Sequence, residues 1–399
     1  MTSQPLEAVR PAFQPRIDRI DALRGFALMG LFIVHACEYF ELYWFGNPPQ
    51  NDIHDWVFGL FAGKAFAMFA LMFGLSFFII MDRAATRGVD FTVRFLWRLV
   101  VLFIIGFFHA LFYGGEVLQV LALCGLILLP LNRLSWKWLL PLAIVCFAQP
   151  LLLWQLWHAM TDLAGNHKLA SWSYPALEVY AKGSFLDVVK VNLWPSNKWD
   201  FMWEYGRVMQ IFGLFLTGLM LGRIGFFSTP EKFNTVRRVG FLVALAVAVG
   251  IHCAKPWLAA TITADEAHYL VPVTRDALID SWQSLAAMFM WVTGFVEVYQ
   301  WGATQKVLRL LAPAGRMTLT LYVMQSVIGT ALYYHWGLGW YATIGQTKAL
   351  IFGICFFTAQ VALAHLWFRY FYYGPLEWLW RAATYLTLKV PFIRKTASA

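Results

Sequence analysis

The stretch LRGFALMGLFIVHACEYFELYWF, residues 23–45, decides the fold class of this chain. It is apolar over the roughly 20 residues that an α-helix needs to cross the hydrocarbon core of a bilayer. The rest of the chain is similar, because 60% of its 399 residues are hydrophobic, 13% are charged and the mean hydropathy is +0.59. Soluble domains carry about 25% charged residues. The composition therefore excludes a disordered chain and predicts an all-α, polytopic membrane protein.

We predict ten membrane-spanning helices that form one helical bundle. The third and fourth are short and are joined only by Gly114-Gly115, which predicts a tight hairpin. The predicted spans are 23–45, 56–81, 96–113, 116–131, 136–158, 204–222, 236–254, 277–299, 310–335 and 349–372.

Lys and Arg are distributed unevenly between the two sides of the predicted bundle. Most of the 31 Lys and Arg residues lie in the N-terminal segment, the even-numbered connections and the tail, whereas the first outer loop, 46–55, has none. Cytoplasmic loops are enriched in positive residues, so both termini are predicted to be cytoplasmic. This topology accounts for the net charge of +9, and no nucleic-acid partner is predicted. The five cysteines lie in apolar stretches without a C-x-x-C pair, so we expect no disulfide framework and no metal site.

Four regions follow from the spans and the charge pattern. Residues 1–22 form a cytoplasmic segment, and residues 23–222 form an N-terminal membrane region with the candidate active site and the largest outer loop, 159–203. Residues 223–373 form the C-terminal membrane region, and residues 374–399 form a cytoplasmic amphipathic tail. Aromatic residues in the outer loop favour a position at the membrane surface or over a cavity, and the tail pattern is typical of an interfacial helix.

Ionisable residues at membrane depth cost about 2.5–3.5 kcal/mol each on insertion scales, so they mark candidate functional sites. His35 lies in the first predicted span and His109 in the third, at equal distances beyond a cytoplasmic arginine, which places them at similar depth. Glu116 opens the fourth span, where a carboxylate also favours the helix N-terminus. Lys64 lies within the second span, and His54 stands at its mouth.

Each of these residues also has a structural alternative. A buried histidine is often a hydrogen-bonded structural residue, Glu116 suits any helix N-terminus, and Lys64 could extend its side chain to an interface. Two histidines at matched depth near a carboxylate favour general-base chemistry, because the histidine pKa is near neutral. The chain lacks the Walker, H-E-x-x-H, G-x-S-x-G and dinucleotide glycine motifs. ATP-driven transport, zinc proteolysis and lipase-like chemistry therefore have no support.

Several sequence blocks resemble the YeiB-type family of bacterial inner-membrane proteins, which contains the domain of unknown function 418. The opening block is RIDALRGFALMG at 19–30, and KAFAMFALMFG at 64–74 resembles the second-helix block. Residues 98–125 resemble the hairpin of the third and fourth helices. The segments 315–326 and 374–381 resemble the C-terminal domain of the family.

That family is similar, more distantly, to the transmembrane acyltransferases that include heparan-α-glucosaminide N-acetyltransferase, and its opening pattern is similar to that of the acyltransferase-3 family. The resemblance implies transfer of an acyl group from a cytoplasmic donor to an extracytoplasmic acceptor, often a glycan. The family usually has Asn where this chain has His35, whereas acyltransferase-3 proteins place a catalytic histidine there. The YeiB-type family usually has Asp at the position of Glu116. The glutamate of this chain keeps the negative charge on a longer side chain.

The expected protein is therefore a multi-pass acyltransferase of the bacterial inner membrane that uses acyl-CoA, such as acetyl-CoA, as donor. Arg24, Arg98 and Arg316 are expected to bind the donor phosphates through charge-assisted hydrogen bonds. Membrane lipid, acyl-CoA and an extracytoplasmic glycan or small metabolite are the expected partners. A homodimer is compatible with the sequence, and no metal is expected.

The expected catalytic residues are His109 and His35 as candidate bases, Glu116 as the group that orients the base, and Lys64 as the oxyanion partner. His54 is the rival base, because the resemblance to the heparan enzyme places an active histidine at a similar distance before a glycine of the second helix. A different function stays open, namely a transporter or exporter of a small metabolite or lipid-linked group with a His/Glu proton relay. A structural or envelope-stress scaffold is a third hypothesis.

Overall fold

The computed structural model describes residues 17–45, 51–161, 175–193, 196–263 and 268–394. Within these ranges the chain is helical, with no β-strand and one isolated bridge between Phe371 and Ile393. The α-helices are α1 (Asp18–Cys37), α2 (Asp52–Phe61), α3 (Lys64–Ala85), α4 (Thr92–Ala110), α5 (Leu118–Cys124), α6 (Leu128–Leu131), α7 (Trp136–Phe147), α8 (Pro150–Thr161), α9 (Pro175–Lys182), α10 (Phe185–Asn192), α11 (Ser196–Glu204), α12 (Arg207–Arg223), α13 (Asn234–Thr261), α14 (Leu270–Val298), α15 (Gly302–Arg309), α16 (Ala312–Arg316), α17 (Thr318–Tyr333), α18 (Gly345–Tyr370) and α19 (Pro375–Tyr385).

Six helical segments of the described residues are long and apolar enough to cross a bilayer. They are Asp18–Trp44, Asp52–Ala85, Thr92–Ala110, Trp136–Thr161, Pro230–Thr261 and Gly345–Tyr370. The prediction of an all-α membrane protein is therefore confirmed. The predicted spans at 204–222 and 310–335 correspond to α12 and α17, of 17 and 16 residues, which are at or below the usual spanning length. The total of ten spans and the side of the termini stay predictions.

Two predicted spans are each made of two helices. The predicted span 56–81 contains the end of α2 and most of α3, which are separated at Gly63 with φ of +75°. The predicted span 136–158 contains α7 and most of α8, which are separated at Gln149 with φ of +59°. A left-handed residue cannot continue a right-handed helix, so the chain changes direction at both positions. A hydropathy profile shows how long an apolar stretch is but not where its backbone leaves the helical conformation, so it does not detect these breaks.

The central helix is α1, which packs against α2, α3, α16, α17 and α18. On one side of it, α3 crosses α12 with their backbones in close contact. A Cβ atom added at Gly74 would collide with the carbonyl oxygen of Phe215, and one at Gly218 would collide with that of Leu71. Glycine is therefore required at this crossing, as is common where membrane helices approach closely.

A second close crossing joins α1 to α16. A Cβ atom at Gly25 would collide with the carbonyl oxygen of Leu311, and one at Gly315 would collide with that of Asp21. The opening block of the sequence and a C-terminal block therefore pack directly on each other. This contact positions the site described below.

At the periphery, α13 packs along α14 and presents an apolar face that includes the exposed Leu242 and Val243. In a bilayer, such a face contacts lipid chains. Near one end of this pair, Glu297 accepts hydrogen bonds from the buried Arg237 and from Arg238 over 2.9 Å each. These ion pairs fix α13 to α14, which is a structural role for Glu297.

The described part of the predicted outer loop folds back onto the bundle. Tyr180 of α9 stacks on Tyr334 with ring centroids 4.6 Å apart, and its carbonyl oxygen accepts from the backbone N–H of His335. The Tyr180 hydroxyl donates to Asn192 of α10, whose amide donates to the carbonyl oxygen of Leu111 over 3.4 Å. These contacts place α9 against the end of α17 and α10 against the turn that follows α4. The other loop residues, 162–174 and 194–195, lie outside the described residues.

The C-terminal helix α19 packs along α4. The indole N–H of Trp97 donates to the carbonyl oxygen of Ala383, and that of Trp380 donates to the carbonyl oxygen of Arg98, each over 2.9 Å. The C-terminal helix therefore closes one side of the bundle.

Candidate active site

A cavity of about 420 Å³ opens between α1, α3, α4, α17 and α19. This volume is in the range of small-molecule binding sites. Its lining carries a set of arginines from different helices, namely Arg24, Arg83, Arg98, Arg316 and Arg381. They outnumber the carboxylates of the lining, Asp21 and Glu377. The cavity therefore has an excess of positive charge and suits a ligand with several negative charges.

Arg24 is fixed at the crossing of α1 and α3. Its Nη1 atom donates to Asp21 Oδ1 over 2.9 Å, and its Nη2 atom donates to Ser76 Oγ over 2.6 Å. Because Asp21 is buried and lies one helical turn before Arg24, it sets the direction of the guanidinium. The opening sequence block thus places a cation in the cavity wall.

Arg98 and Arg316 are each stacked on an aromatic ring. The Arg98 guanidinium carbon lies 3.5 Å from the ring centroid of Trp380, and that of Arg316 lies 3.9 Å from the ring centroid of Phe368. A guanidinium that stacks through its face can still donate hydrogen bonds along its edge. The three arginines predicted from the sequence therefore line one cavity.

The deep end of the cavity is formed by Val117, Leu118 and Tyr322. The ring of Tyr322 contacts the ring of His109 with centroids 4.9 Å apart. His109 is only 3% exposed. The cavity therefore ends one side chain away from a buried histidine.

His35 and His109 meet at Tyr113. The Tyr113 hydroxyl and His35 Nδ1 form a hydrogen bond of 2.9 Å, and the ring centroids of Tyr113 and His109 are 6.2 Å apart. We call His35, Tyr113 and His109 the histidine–tyrosine cluster. Sequence reasoning placed the histidines at one depth but missed Tyr113, although it lies one helical turn after His109 and was detectable from that spacing.

Glu116 caps the N-terminus of α5. Its carboxylate accepts hydrogen bonds from the backbone N–H groups of Leu118 and Gln119, and it is completely buried. Such a carboxylate stabilises the positive end of the helix. Leu118, which donates one of these hydrogen bonds, lines the cavity. A purely structural role at the helix N-terminus therefore fits Glu116 well. The same position also places its negative charge beside the candidate site.

Two further carboxylates approach the cluster from the turn after α1, and sequence reasoning missed both. Residues 39–41 are all left-handed, with φ of 54°, 52° and 80°. Glu38 Oε2 lies 3.8 Å from His35 Nδ1, and the Glu41 carboxylate borders Tyr113. Left-handed non-glycine residues cost about 1–3 kcal/mol each and concentrate at functional sites. Within the described ranges, no group of His, Cys, Asp and Glu is arranged to hold a metal ion.

His54 and Lys64 lie in a different set of contacts. The ring of His54 is stacked between Tyr43 and Phe58, with centroids 3.8 Å and 4.0 Å away, and its Nδ1 is 3.1 Å from Asp55 Oδ1. Lys64 begins α3, and its Nζ donates to the carbonyl oxygen of Phe58 over 3.2 Å. Neither side chain joins the histidine–tyrosine cluster among the described contacts. The expected role of Lys64 as oxyanion partner of that cluster has no support in this geometry.

The helices define an all-α membrane protein. Its cavity carries an excess of positive charge and lies close to the histidine–tyrosine cluster. Residues 16–260 match the family model described as heparan-alpha-glucosaminide N-acetyltransferase, catalytic, and residues 221–387 match the model described as a protein of unknown function (DUF418). The chain therefore belongs to the YeiB-type family, with a heparan-alpha-glucosaminide N-acetyltransferase-like catalytic region. The histidine–tyrosine cluster lies in the first match, and Arg316 lies in the second.

Similarity to individual relatives extends over nearly the whole chain. The chain is 28% identical to the uncharacterized protein YxaH of Bacillus subtilis, with 96% of this chain and 97% of the relative covered. It is 29% identical to the uncharacterized protein YeiB of Escherichia coli, with 95% and 98% covered. A 39.9 kDa protein encoded beside an amylase in Bacillus acidopullulyticus is 26% identical, with 96% and 98% covered.

Proposed function

We propose that this chain is a membrane acyltransferase that transfers an acyl group from acyl-CoA to an acceptor on the other side of the membrane. The observation that carries the proposal is the arginine-lined cavity whose deep end contacts His109 through Tyr322. The family match over residues 16–260 supports the same class of reaction.

The donor fits the cavity by charge and by depth. Its phosphates would bind Arg24, Arg98 and Arg316, and its pantetheine arm would lie along the apolar lining toward Tyr322. From Arg98 to His109, α4 rises about 16 Å at 1.5 Å per residue. The thioester would then lie near the histidine–tyrosine cluster.

In the proposed reaction, an acceptor hydroxyl or amine attacks the thioester carbonyl carbon. His109 accepts the proton of the attacking group, the new C–O or C–N bond forms, and the C–S bond breaks. The proton then passes to the leaving thiolate, so the products are CoA and the acylated acceptor. His35, bonded to Tyr113 and close to Glu38, would orient the acceptor on the side away from the donor.

The direction of transfer rests on the predicted topology. We place the cavity mouth at the start of α1 and the end of α3, where the lining includes Ile17 and Arg83. The Lys/Arg asymmetry predicts this side to be cytoplasmic, where acyl-CoA is available. The acceptor would accordingly be extracytoplasmic.

Donor binding and turnover of the purified chain test the proposal. Acyl-CoA should raise the melting temperature, and this effect should weaken with salt. Membrane vesicles supplied with radiolabelled acetyl-CoA should accumulate label in an acceptor, and His109→Ala should prevent this while donor binding persists. If His54→Ala stops transfer and His109→Ala does not, His54 is the base. If millimolar acyl-CoA leaves the melting curve unchanged, the proposal is wrong and the transporter hypothesis gains support.

A further inference from the structure

Two cations, Lys64 and Arg207, begin the neighbouring helices α3 and α12. A Cβ atom built at Gly63 would be 3.3 Å from Arg207 Nη1 and 3.1 Å from Ser284 Oγ, so both groups border the residue before Lys64. Neither residue contributes to the arginine-lined cavity.

This pair lies far from the cavity mouth. Helix α3 has 22 residues and ends beside the mouth, and a helix of that length spans about 33 Å. Lys64 is only 8% exposed and uses one donor for the carbonyl oxygen of Phe58. Positive charges at such a position are costly in a membrane and repel each other, so an arrangement that retains two of them indicates a function.

One carboxylate, Asp280, lies near both cations of the pair. The nearby Asp280 is bonded to Lys255 over 2.7 Å, and no ion pair of Lys64 or Arg207 occurs in the described ranges. Lys64, Arg207 and Lys255 therefore share one carboxylate, and the excess of two positive charges favours a ligand with two negative charges.

The helix ends add to the positive potential. Gly63 and Gly206 precede α3 and α12 with φ of +75° and +64°, and neither helix start has a side-chain cap. The first N–H groups of a helix have no partner within the helix and carry partial positive charge. Two helix N-termini and two cations therefore converge, together with the Ser284 hydroxyl.

The position of Arg207 is fixed by a buried amide network. Arg207 Nη1 donates to Gln210 Oε1 over 3.1 Å, and Gln210 Nε2 donates to the carbonyl oxygen of Ser281 over 3.3 Å. Gln149, at the break between α7 and α8, donates to Ser281 Oγ over 2.8 Å and to the carbonyl oxygen of Gly206 over 3.1 Å. The network holds the start of α12, and thus Arg207, beside Lys64.

We propose that Lys64, Arg207 and Ser284 form a binding site for a phosphate group on the side of the bundle opposite the arginine-lined cavity. Phosphate suits the site because its two negative charges balance the two positive charges in excess and its oxygens accept from arginine, ammonium, hydroxyl and backbone N–H donors. The phosphate belongs either to a lipid headgroup or to a soluble phosphorylated compound. The site does not depend on the proposed acyl transfer.

Inorganic pyrophosphate is the first probe, used with the purified full chain in phosphatidylcholine nanodiscs. It should raise the melting temperature, and Lys64→Met and Arg207→Gln should each weaken its binding about tenfold or more. Arg98→Gln, which removes a cation from the other cavity, should leave pyrophosphate binding at this site intact and weaken CoA binding instead. Lys64→Met should instead weaken pyrophosphate binding and leave CoA binding intact.

The second probe is phosphatidic acid, added to the same nanodiscs. Stabilisation by phosphatidic acid alone, lost in Lys64→Met, assigns the site to a lipid headgroup, and stabilisation by pyrophosphate alone assigns it to a soluble compound. If the neutral variants do not fold, Lys64→Arg and Arg207→Lys should retain binding. The proposal is overturned if neither probe stabilises the wild-type chain, or if both act equally on wild type and Lys64→Met. Because CoA binding is measured separately, a failure of the phosphate-site proposal can be distinguished from a failure of the acyltransferase proposal.

Discussion

Replacing Arg98 by glutamine should weaken acyl-CoA binding by about 10- to 100-fold while the protein remains folded. Arg98 lines the arginine-rich cavity and is held there by Trp380. A hydrogen bond to a charged group contributes about 1.5–3 kcal/mol, and each 1.4 kcal/mol changes the dissociation constant about tenfold. Titration of the purified protein with acyl-CoA at low salt measures this loss, and added salt should reduce the difference between wild type and variant.

The cost to folding should be smaller than the loss of binding. The variant loses the contact of the guanidinium with Trp380, which is worth about 0.5–2 kcal/mol, but the indole N–H of Trp380 still donates to the backbone oxygen of residue 98. Arg94→Gln is the matched control, because Arg94 lies on the same helix, stacks on Tyr385 at 5.2 Å and does not line the cavity. If Arg98→Gln binds acyl-CoA as tightly as Arg94→Gln does, the cavity is not the donor site.

Three other outcomes are expected. His109→Ala should lower transfer by about 10²–10⁴-fold with donor binding retained, whereas His35→Asn should have a smaller effect on initial rates. Tyr113→Phe removes the hydroxyl that is bonded to His35, so it should destabilise the fold by about 1 kcal/mol, measured as a lower melting temperature, and should slow transfer less than His109→Ala does. A cysteine at Lys190 should react with an impermeant thiol reagent on intact cells and one at Ser228 should not, and the reverse pattern would overturn the predicted topology.

Part of this site could be predicted from the sequence, because the number of residues between two positions in a regular helix fixes how far apart they lie along its axis. Equal spacing from Arg24 to His35 and from Arg98 to His109 predicts a common depth, and Tyr113 indeed lies between the two histidines. The convergence of Arg316 with the other arginines required the resemblance to a family, because the helix that carries it is far away in the chain. The close crossing of α1 and α16 at two glycines is the physical reason for this convergence.

Other features depend on dihedral angles and helix contacts that no periodicity reports. The left-handed turn after α1 brings Glu41 beside Tyr113, and nothing in the residue types there predicts three such angles in succession. The partnership of Lys64 with Arg207 depends on the break at Gly63 and on the packing of α12, which brings two helix starts together. These are tertiary relations, so they could be found only in the three-dimensional structure.

A density map of the full chain with acyl-CoA bound tests the central claim most directly. The account predicts the nucleotide phosphates beside Arg24, Arg98 and Arg316, and the thioester beside Tyr322 within reach of the histidine–tyrosine cluster. Donor density at a different surface, or a cavity that stays empty at saturating acyl-CoA, would contradict it.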